Sequence, residues 1–149
     1  MDFRKSGINV PVDQQQSVIG TPFDPVQLET GVIELFATWC PPCRAIIPHL
    51  AALQSENPHV KILQISNEPQ SKLAHFYKPA VDKITFAVSS VPAEIWESIS
   101  DALGIRGIPH AIILHKGVVV YSGHPGVPEF ATKVQELNKL MEAEAAKAE

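Results

Sequence analysis

The run Trp39-Cys40-Pro41-Pro42-Cys43-Arg44 holds both cysteines of this 149-residue chain. They lie just past an apolar run, Val32-Ile33-Glu34-Leu35-Phe36-Ala37, that reads as a buried strand. If a helix opens at Cys40, the two sulfurs fall on one face of its first turn, close enough to bond. The first thiol then stands at the positive end of the helix dipole, where a thiolate is favoured. Strand, C-x-x-C, helix is the arrangement of a redox dithiol. A zinc site would need two more ligands. The chain has no third cysteine, and His49, His59, His75, His110, His115 and His124 are scattered along it, so no metal is expected, and no other cofactor. A purely structural disulfide is disfavoured, because closing so short a loop removes little entropy from the unfolded chain.

The elements that must position this dithiol can be read in order along the chain. Residues 1–17 are polar around Gln14-Gln15-Gln16 and show no periodicity, so they are expected to form a loosely ordered lead-in to one domain over 18–149. Asp24, between Pro22 and Pro25, suits the cap of a short helical turn. After the first strand, Ile46, Ile47, Leu50 and Leu53 make an apolar stripe at helical spacing, kinked by Pro48 and ended at Asn57-Pro58. Val60–Ser66 reads as a second buried strand, parallel to the first. Pro69 opens a helix carrying Leu73, Phe76 and Tyr77, and Ile84–Val88 reads as a short strand. A helix from Pro92 puts Ile95, Trp96, Ile99 and Leu103 on one face, with Gly104 as its C-terminal cap and Trp96 in the core. Ala111–His115 and Val118–Ser122 flank Lys116-Gly117 at hairpin spacing. A last helix from Pro128 carries Phe130, Val134, Leu137 and Met141, and its Ala/Glu/Lys tail is expected to fray. Alternating strands and helices followed by a hairpin predict a three-layer α/β/α domain with a mixed sheet.

Composition excludes several classes. A net charge of −4 argues against nucleic acid or a polybasic membrane contact, and the longest apolar stretches are strand-length, so no transmembrane segment is predicted. The first ten residues have no apolar h-region and carry an acid at position 2. The expectation is a cytoplasmic protein, or a periplasmic or organellar one whose leader has been removed.

From about Val18 to Leu140 the chain resembles the thioredoxin superfamily. The resemblance rests on Trp39–Arg44 after its strand, on Pro48 five residues past Cys43, and on Gly104-Ile105-Arg106-Gly107-Ile108-Pro109 followed by an apolar strand and the Lys116-Gly117 turn. Pro-Pro between the cysteines is similar to the TlpA/ResA-like reductases, and to tryparedoxin and nucleoredoxin. The Ile84–Val88 strand and its following helix, inserted before Gly107-Ile108-Pro109, also look TlpA-like. The resemblance implies a thioredoxin fold and a protein-disulfide oxidoreductase.

It also implies roles. Cys40 is the attacking thiol and Cys43 the resolving one, through a mixed disulfide with the substrate. Pro109 resembles the family's cis-proline, with the Ile108 backbone presented to an extended substrate strand. Trp39 is expected to shield the dithiol and help form the docking surface with Pro41 and Pro42. Because the two prolines have no N–H, few backbone donors can face the Cys40 sulfur, which predicts a reductant or isomerase-like dithiol. Glu34, six residues before Cys40, stands where thioredoxins keep a buried acid. Burial would raise its pKa and suit it to deprotonate Cys43, although Gln64 occupies the position of the family's lysine partner. Expected partners are disulfide-containing proteins and an upstream reductase or dithiol donor, with the domain itself a monomer. Two alternatives stand beside this reading. One is a thiol peroxidase, against which the missing P-x3-T-x2-C signature argues; the other is a scaffold module, which would need neither the dithiol nor Pro109.

Overall fold

The apolar run before the cysteines forms β2 (Gly31–Leu35), and every residue of it is buried. It lies in the middle of a sheet, parallel to β3 (Ile62–Ser66) and antiparallel to β5 (His110–His115). A strand covered on both faces reads as a continuous apolar run instead of alternating. The computed structural model describes residues 2–148. Its other strands are β1 (Gln16–Ile19), β4 (Ala87–Ser90) and β6 (Val118–Gly123), and the sheet order is β1-β4-β3-β2-β5-β6. The β2, β3 and β4 neighbours are parallel, whereas β1, β5 and β6 add antiparallel pairings, as a βαβ half followed by a hairpin requires.

The helices are α1 (Phe3–Ser6), α2 (Pro41–Glu56), α3 (Gln70–Tyr77), α4 (Ala93–Leu103) and α5 (Pro128–Ala148). One face of the sheet, with Val32, Phe36, Ile62 and Ile113, packs on Leu50 and Leu53 of α2, Leu73 and Tyr77 of α3, and Phe130, Val134 and Leu137 of α5. The other face, with Ile33, Leu35, Leu63 and Ile112, packs on Ile99 of α4 and on Phe3, Ile8 and Val10. The result is the three-layer α/β/α arrangement read from the sequence. β4 and α4 stand between β3 and the Ile108–Pro109 segment, where the inserted strand and helix are predicted.

Local chemistry explains the boundaries. Pro41 and Pro42 occupy the first turn of α2, where missing N–H groups cost nothing. Asp24 accepts from the Val26 N–H at 2.9 Å, capping its turn. Gly104 ends α4 in the left-handed conformation at φ 63°. Lys116 and Gly117 both take positive φ, 52° and 79°, as a type I′ hairpin turn demands.

Three differences from expectation have physical causes. The strand predicted at Ile84–Val88 sits later, at Ala87–Ser90, because a 3-10 turn runs on through Lys83 and Thr85 Oγ1 donates to the Ala51 carbonyl at 2.7 Å. The N-terminal segment is not loose. Phe3 and Val10 are fully buried, Gln15 Nε2 donates to the Val10 and Phe23 carbonyls, and Gln16–Ile19 forms an edge strand on β4. On that sheet face Phe3, Ile8 and Val10 add to the cover given by α4 and by Val26 and Val91, and apolar residues so isolated show no period. The polar tail continues α5 to Ala148, in keeping with the high helix propensity of Ala, Glu and Lys. No helix among the described residues is long and apolar enough to cross a membrane.

Candidate active site

Cys40 is the N-cap of α2, with extended backbone (φ −93°, ψ 109°), and its carbonyl accepts the first helical bond from the Arg44 N–H at 3.1 Å. The Cys43 N–H donates to Cys40 Sγ at 3.3 Å, while Pro41 and Pro42 have no N–H to add. Both cysteines are free. Cys40 Sγ also approaches the Ile108 carbonyl oxygen at 3.7 Å, and the Ile108–Pro109 peptide is cis. Cys40 is less open than its place at a helix entrance predicts: it is 4 % exposed, enclosed by its neighbours at the floor of a groove. Cys43, one turn in, is fully buried. Burial pushes its thiol up to about 12, and the hydrogen bond to Cys40 and the charges of Cys40 and Glu34 push the same way against a backbone hydrogen bond with Ala37.

Glu34 points to the same face of β2 as Val32 and Phe36, the face under α2 and α3. It is 0 % exposed in a central strand, so it does not reach solvent at an edge. Burial raises its pKa from the ordinary carboxylate range to about 8, against a smaller opposing effect of Gln64. That amide closes no hydrogen bond to it: both Glu34 oxygens and Gln64 Nε2 are buried without a partner. The two residues are nonetheless in register on adjacent parallel strands.

The segment that leads into Cys40 is held by an acid that sequence reasoning missed. Glu68 Oε1 accepts from the Thr38 N–H at 2.7 Å and Oε2 from the Thr38 hydroxyl at 2.6 Å. The Ser66 hydroxyl donates to Oε1 at 3.0 Å, and Lys72 Nζ lies 3.1 Å from Oε2. Burial by itself would raise the Glu68 pKa, but the Thr38, Lys72 and Ser66 contacts together outweigh it and hold the carboxyl below its ordinary range. Arg44 Nη1 donates to the Thr38 carbonyl at 2.9 Å, so this arginine braces the same segment from the helix. A signal for Glu68 was available in its position, just past the C-terminal end of a parallel strand, where open α/β sheets place functional side chains.

Over the dithiol lies an open groove of about 570 Å³. Trp39, Cys40, Pro41 and Pro42 line one side, and Trp96, Ile105 and Ile108 the other, with Glu97, Asp101 and Arg106 as its charged groups. Trp39 is 66 % exposed. Trp96 was expected in the core; it packs partly against the core but also lines the groove, because α4 lays this edge beside the cysteines. Pro109 is buried and lies outside the lining, which Ile108 supplies. His110 Nε2 and Ser122 Oγ are 2.8 Å apart across β5 and β6, and burial, then His124, lowers the His110 pKa. His110 thus belongs to the sheet.

Comparison with known proteins agrees with this fold. Residues 24–81 match the family model described as Thioredoxin. The thioredoxin of Chlamydia trachomatis is 38% identical over 64 residues, 43% of this chain and 54% of its own length. The chain spans about half the length of the curated relatives it matches. A thiol:disulfide interchange protein of the thioredoxin family from Chlorobium tepidum superimposes with a TM-score of 0.63 at 23% identity, over 90% of this chain and 95% of that one. Tryparedoxin II from C. fasciculata does so with a TM-score of 0.58 at 17% identity, over 91% and 87%. With the dithiol at a helix N-terminus, a buried acid behind it and a cis-proline segment facing it, this chain has the thioredoxin fold, and residues 24–81 are the part of it that matches the Thioredoxin family model.

Proposed function

We propose that this domain is a thiol-disulfide oxidoreductase that reduces or exchanges disulfides in protein substrates. The observation that carries the proposal is the contrast between the two thiols: Cys40 caps the helix at the floor of an open groove, while Cys43 is fully buried one turn in. The Cys40 thiolate attacks one sulfur of the substrate disulfide. That S–S bond breaks, a mixed disulfide forms, and the other substrate sulfur leaves as a thiolate. Cys43 then loses its proton and attacks Cys40 Sγ, which closes the Cys40–Cys43 disulfide and releases the second substrate thiol. Two electrons have passed to the substrate. A donor dithiol or upstream reductase restores the reduced domain, which works as a monomer.

Glu34 takes the Cys43 proton in the second step, a task suited to a buried carboxyl whose pKa is raised to about 8. Trp39, Pro41, Pro42 and Ile108 dock the substrate segment that flanks its disulfide, and Pro109 holds the Ile108 backbone toward Cys40. The Chlorobium relative, a thiol:disulfide interchange protein, supports the reaction class.

The test is the reduction potential of the Cys40–Cys43 pair, by equilibration against glutathione or dithiothreitol with thiol trapping. With the Cys43 N–H alone among the described residues donating to Cys40 Sγ, a value near or below about −230 mV is expected. A value near about −120 mV would make the domain an oxidant. No reversible couple at all would refute the oxidoreductase reading.

A further inference from the structure

Tyr77, at the end of α3, reaches into the polar pocket behind the dithiol. It is 2 % exposed, and its ring is held between Phe36 (centroids 6.0 Å apart, tilted) and Phe76 (4.9 Å, edge-on). Its hydroxyl donates to Gln64 Oε1, its one hydrogen bond among the described residues. That leaves Gln64 Nε2 as the free end of the amide, buried without a partner, on the residue in register with Glu34.

We propose that Tyr77 is a positioning residue: by donating to Gln64 Oε1 it holds the Gln64 amide with its N–H groups available to the Glu34 carboxylate. The inference rests on the relay role proposed for Glu34. An amide's two ends are nearly the same size, so packing alone does not choose between its orientations. In the reversed orientation the Tyr77 hydroxyl would accept from Nε2 and its own proton would be stranded in the core, which costs about 1–3 kcal/mol for a buried donor. The reversed amide would also turn a carbonyl oxygen toward Glu34, which suits only the protonated acid. Donation from Tyr77 therefore selects the orientation that favours the ionised carboxylate.

Among the described residues no other charge competes for this role. The titratable groups that face Glu34 are Cys43, with Cys40 beside it, from α2, and Tyr77 from α3. In register with Glu34 on β5 is Ala111, and α5 brings Phe130, Val134 and Leu137 to this side of the sheet. Gln64 is thus the neutral donor nearest in the strand register, and Tyr77 is what orients it. Tyr77 titrates higher than an ordinary tyrosine, through burial first and then the Glu34 charge, so it acts as a neutral hydrogen-bond donor throughout the working range.

The experiment is a carbon-13 NMR titration of the Glu34 carboxyl in the full chain, in the wild type, Tyr77→Phe, Gln64→Met and the double variant. Phenylalanine keeps the ring and its packing, and methionine keeps the length of the glutamine. Tyr77→Phe should move the Glu34 titration upward by about 0.5–1 unit, as loss of an oriented donor to a charged group implies. The pH inflection of mixed-disulfide resolution should move the same way. In the Gln64→Met background the Tyr77→Phe shift should vanish, because Tyr77 acts through the amide. An unmoved or lowered titration in Tyr77→Phe would overturn the proposal, and so would a shift of equal size with and without Gln64. Failure of Cys40 to form any mixed disulfide would sink the oxidoreductase reading, whereas the carboxyl titration decides the role of Tyr77 independently of it.

Discussion

Glu68 grips Thr38 twice, accepting from its amide at 2.7 Å and from its hydroxyl at 2.6 Å, thirty residues apart in sequence. The pair ties the end of β3 to the turn that presents Trp39 and Cys40. Bonds to a charged acceptor contribute about 1.5–3 kcal/mol, so Glu68→Gln should lower stability by roughly that amount at neutral pH. Its carboxyl titrates lower in the folded chain than in the unfolded one. That contribution is therefore present above the ordinary carboxylate pKa and is lost as pH falls through the depressed folded value. Urea unfolding at pH 7 and pH 3 should show the wild type losing its advantage over Glu68→Gln in acid.

Glu34 has the opposite sign. Its folded pKa, about 8, lies above the unfolded value, so the folded state binds the extra proton and stability falls as pH rises from about 4.5 through 8. Glu34→Leu removes that penalty. It should be more stable than the wild type by an amount that grows across this window and reaches on the order of 3–5 kcal/mol at pH 9. Unfolding midpoints at pH 5, 7 and 9 check this. The same variant should slow mixed-disulfide resolution and abolish its inflection near pH 8.

Cys43 should be hard to alkylate. In Cys40→Ser the remaining thiol keeps its burial, the largest cause of its raised pKa. Its reaction with iodoacetamide at pH 8 should be at least about 100-fold slower than that of a free peptide cysteine. Mass spectrometry of timed aliquots reads the rate. In Cys43→Ser, by contrast, Cys40 should accumulate as a stable mixed disulfide with substrate.

Trp39 and Trp96 should separate docking from folding. Trp39 is largely exposed, so Trp39→Ala should change stability by no more than about 0.5 kcal/mol. It should raise KM for a protein disulfide while leaving reduction of a small disulfide nearly unchanged. Trp96→Ala should raise the same KM and also destabilise the fold, because Trp96 packs on the core behind the groove.

The N-terminal segment should matter for stability. Phe3 is fully buried, and its N–H donates to the Gly117 carbonyl at 2.8 Å. Phe3→Ala should cost about 3–5 kcal/mol, measured by urea unfolding, with the reduction potential of the dithiol unchanged.

Much of the positioning machinery was legible because its causes are local. Pro41 and Pro42 start α2, Gly104 stops α4 in a conformation glycine favours, and Lys116-Gly117 reverses the chain between two apolar runs. Cys40 and Cys43 needed only a helix start to share one turn. The strand at Ala87–Ser90 was displaced because a side-chain bond from Thr85 to α2 is a tertiary event. The edge strand Gln16–Ile19 is not legible in the sequence, since it begins at the last of three consecutive glutamines and its ladder partner lies some seventy residues away.

By itself, then, the amino-acid sequence determined the dithiol, the order of elements around it and the segment that faces it, because capping, turn chemistry and apolar periodicity act over a few residues. Only the tertiary structure decided what surrounds those thiols. Glu68 reaches Thr38, Tyr77 reaches Gln64, Gln64 lies beside Glu34, and Trp96 comes to the groove through the stacking of strands and helices distant in the chain. Burial, which sets the protonation of Glu34 and Cys43, is likewise a property of the packed layers and of no single stretch of sequence.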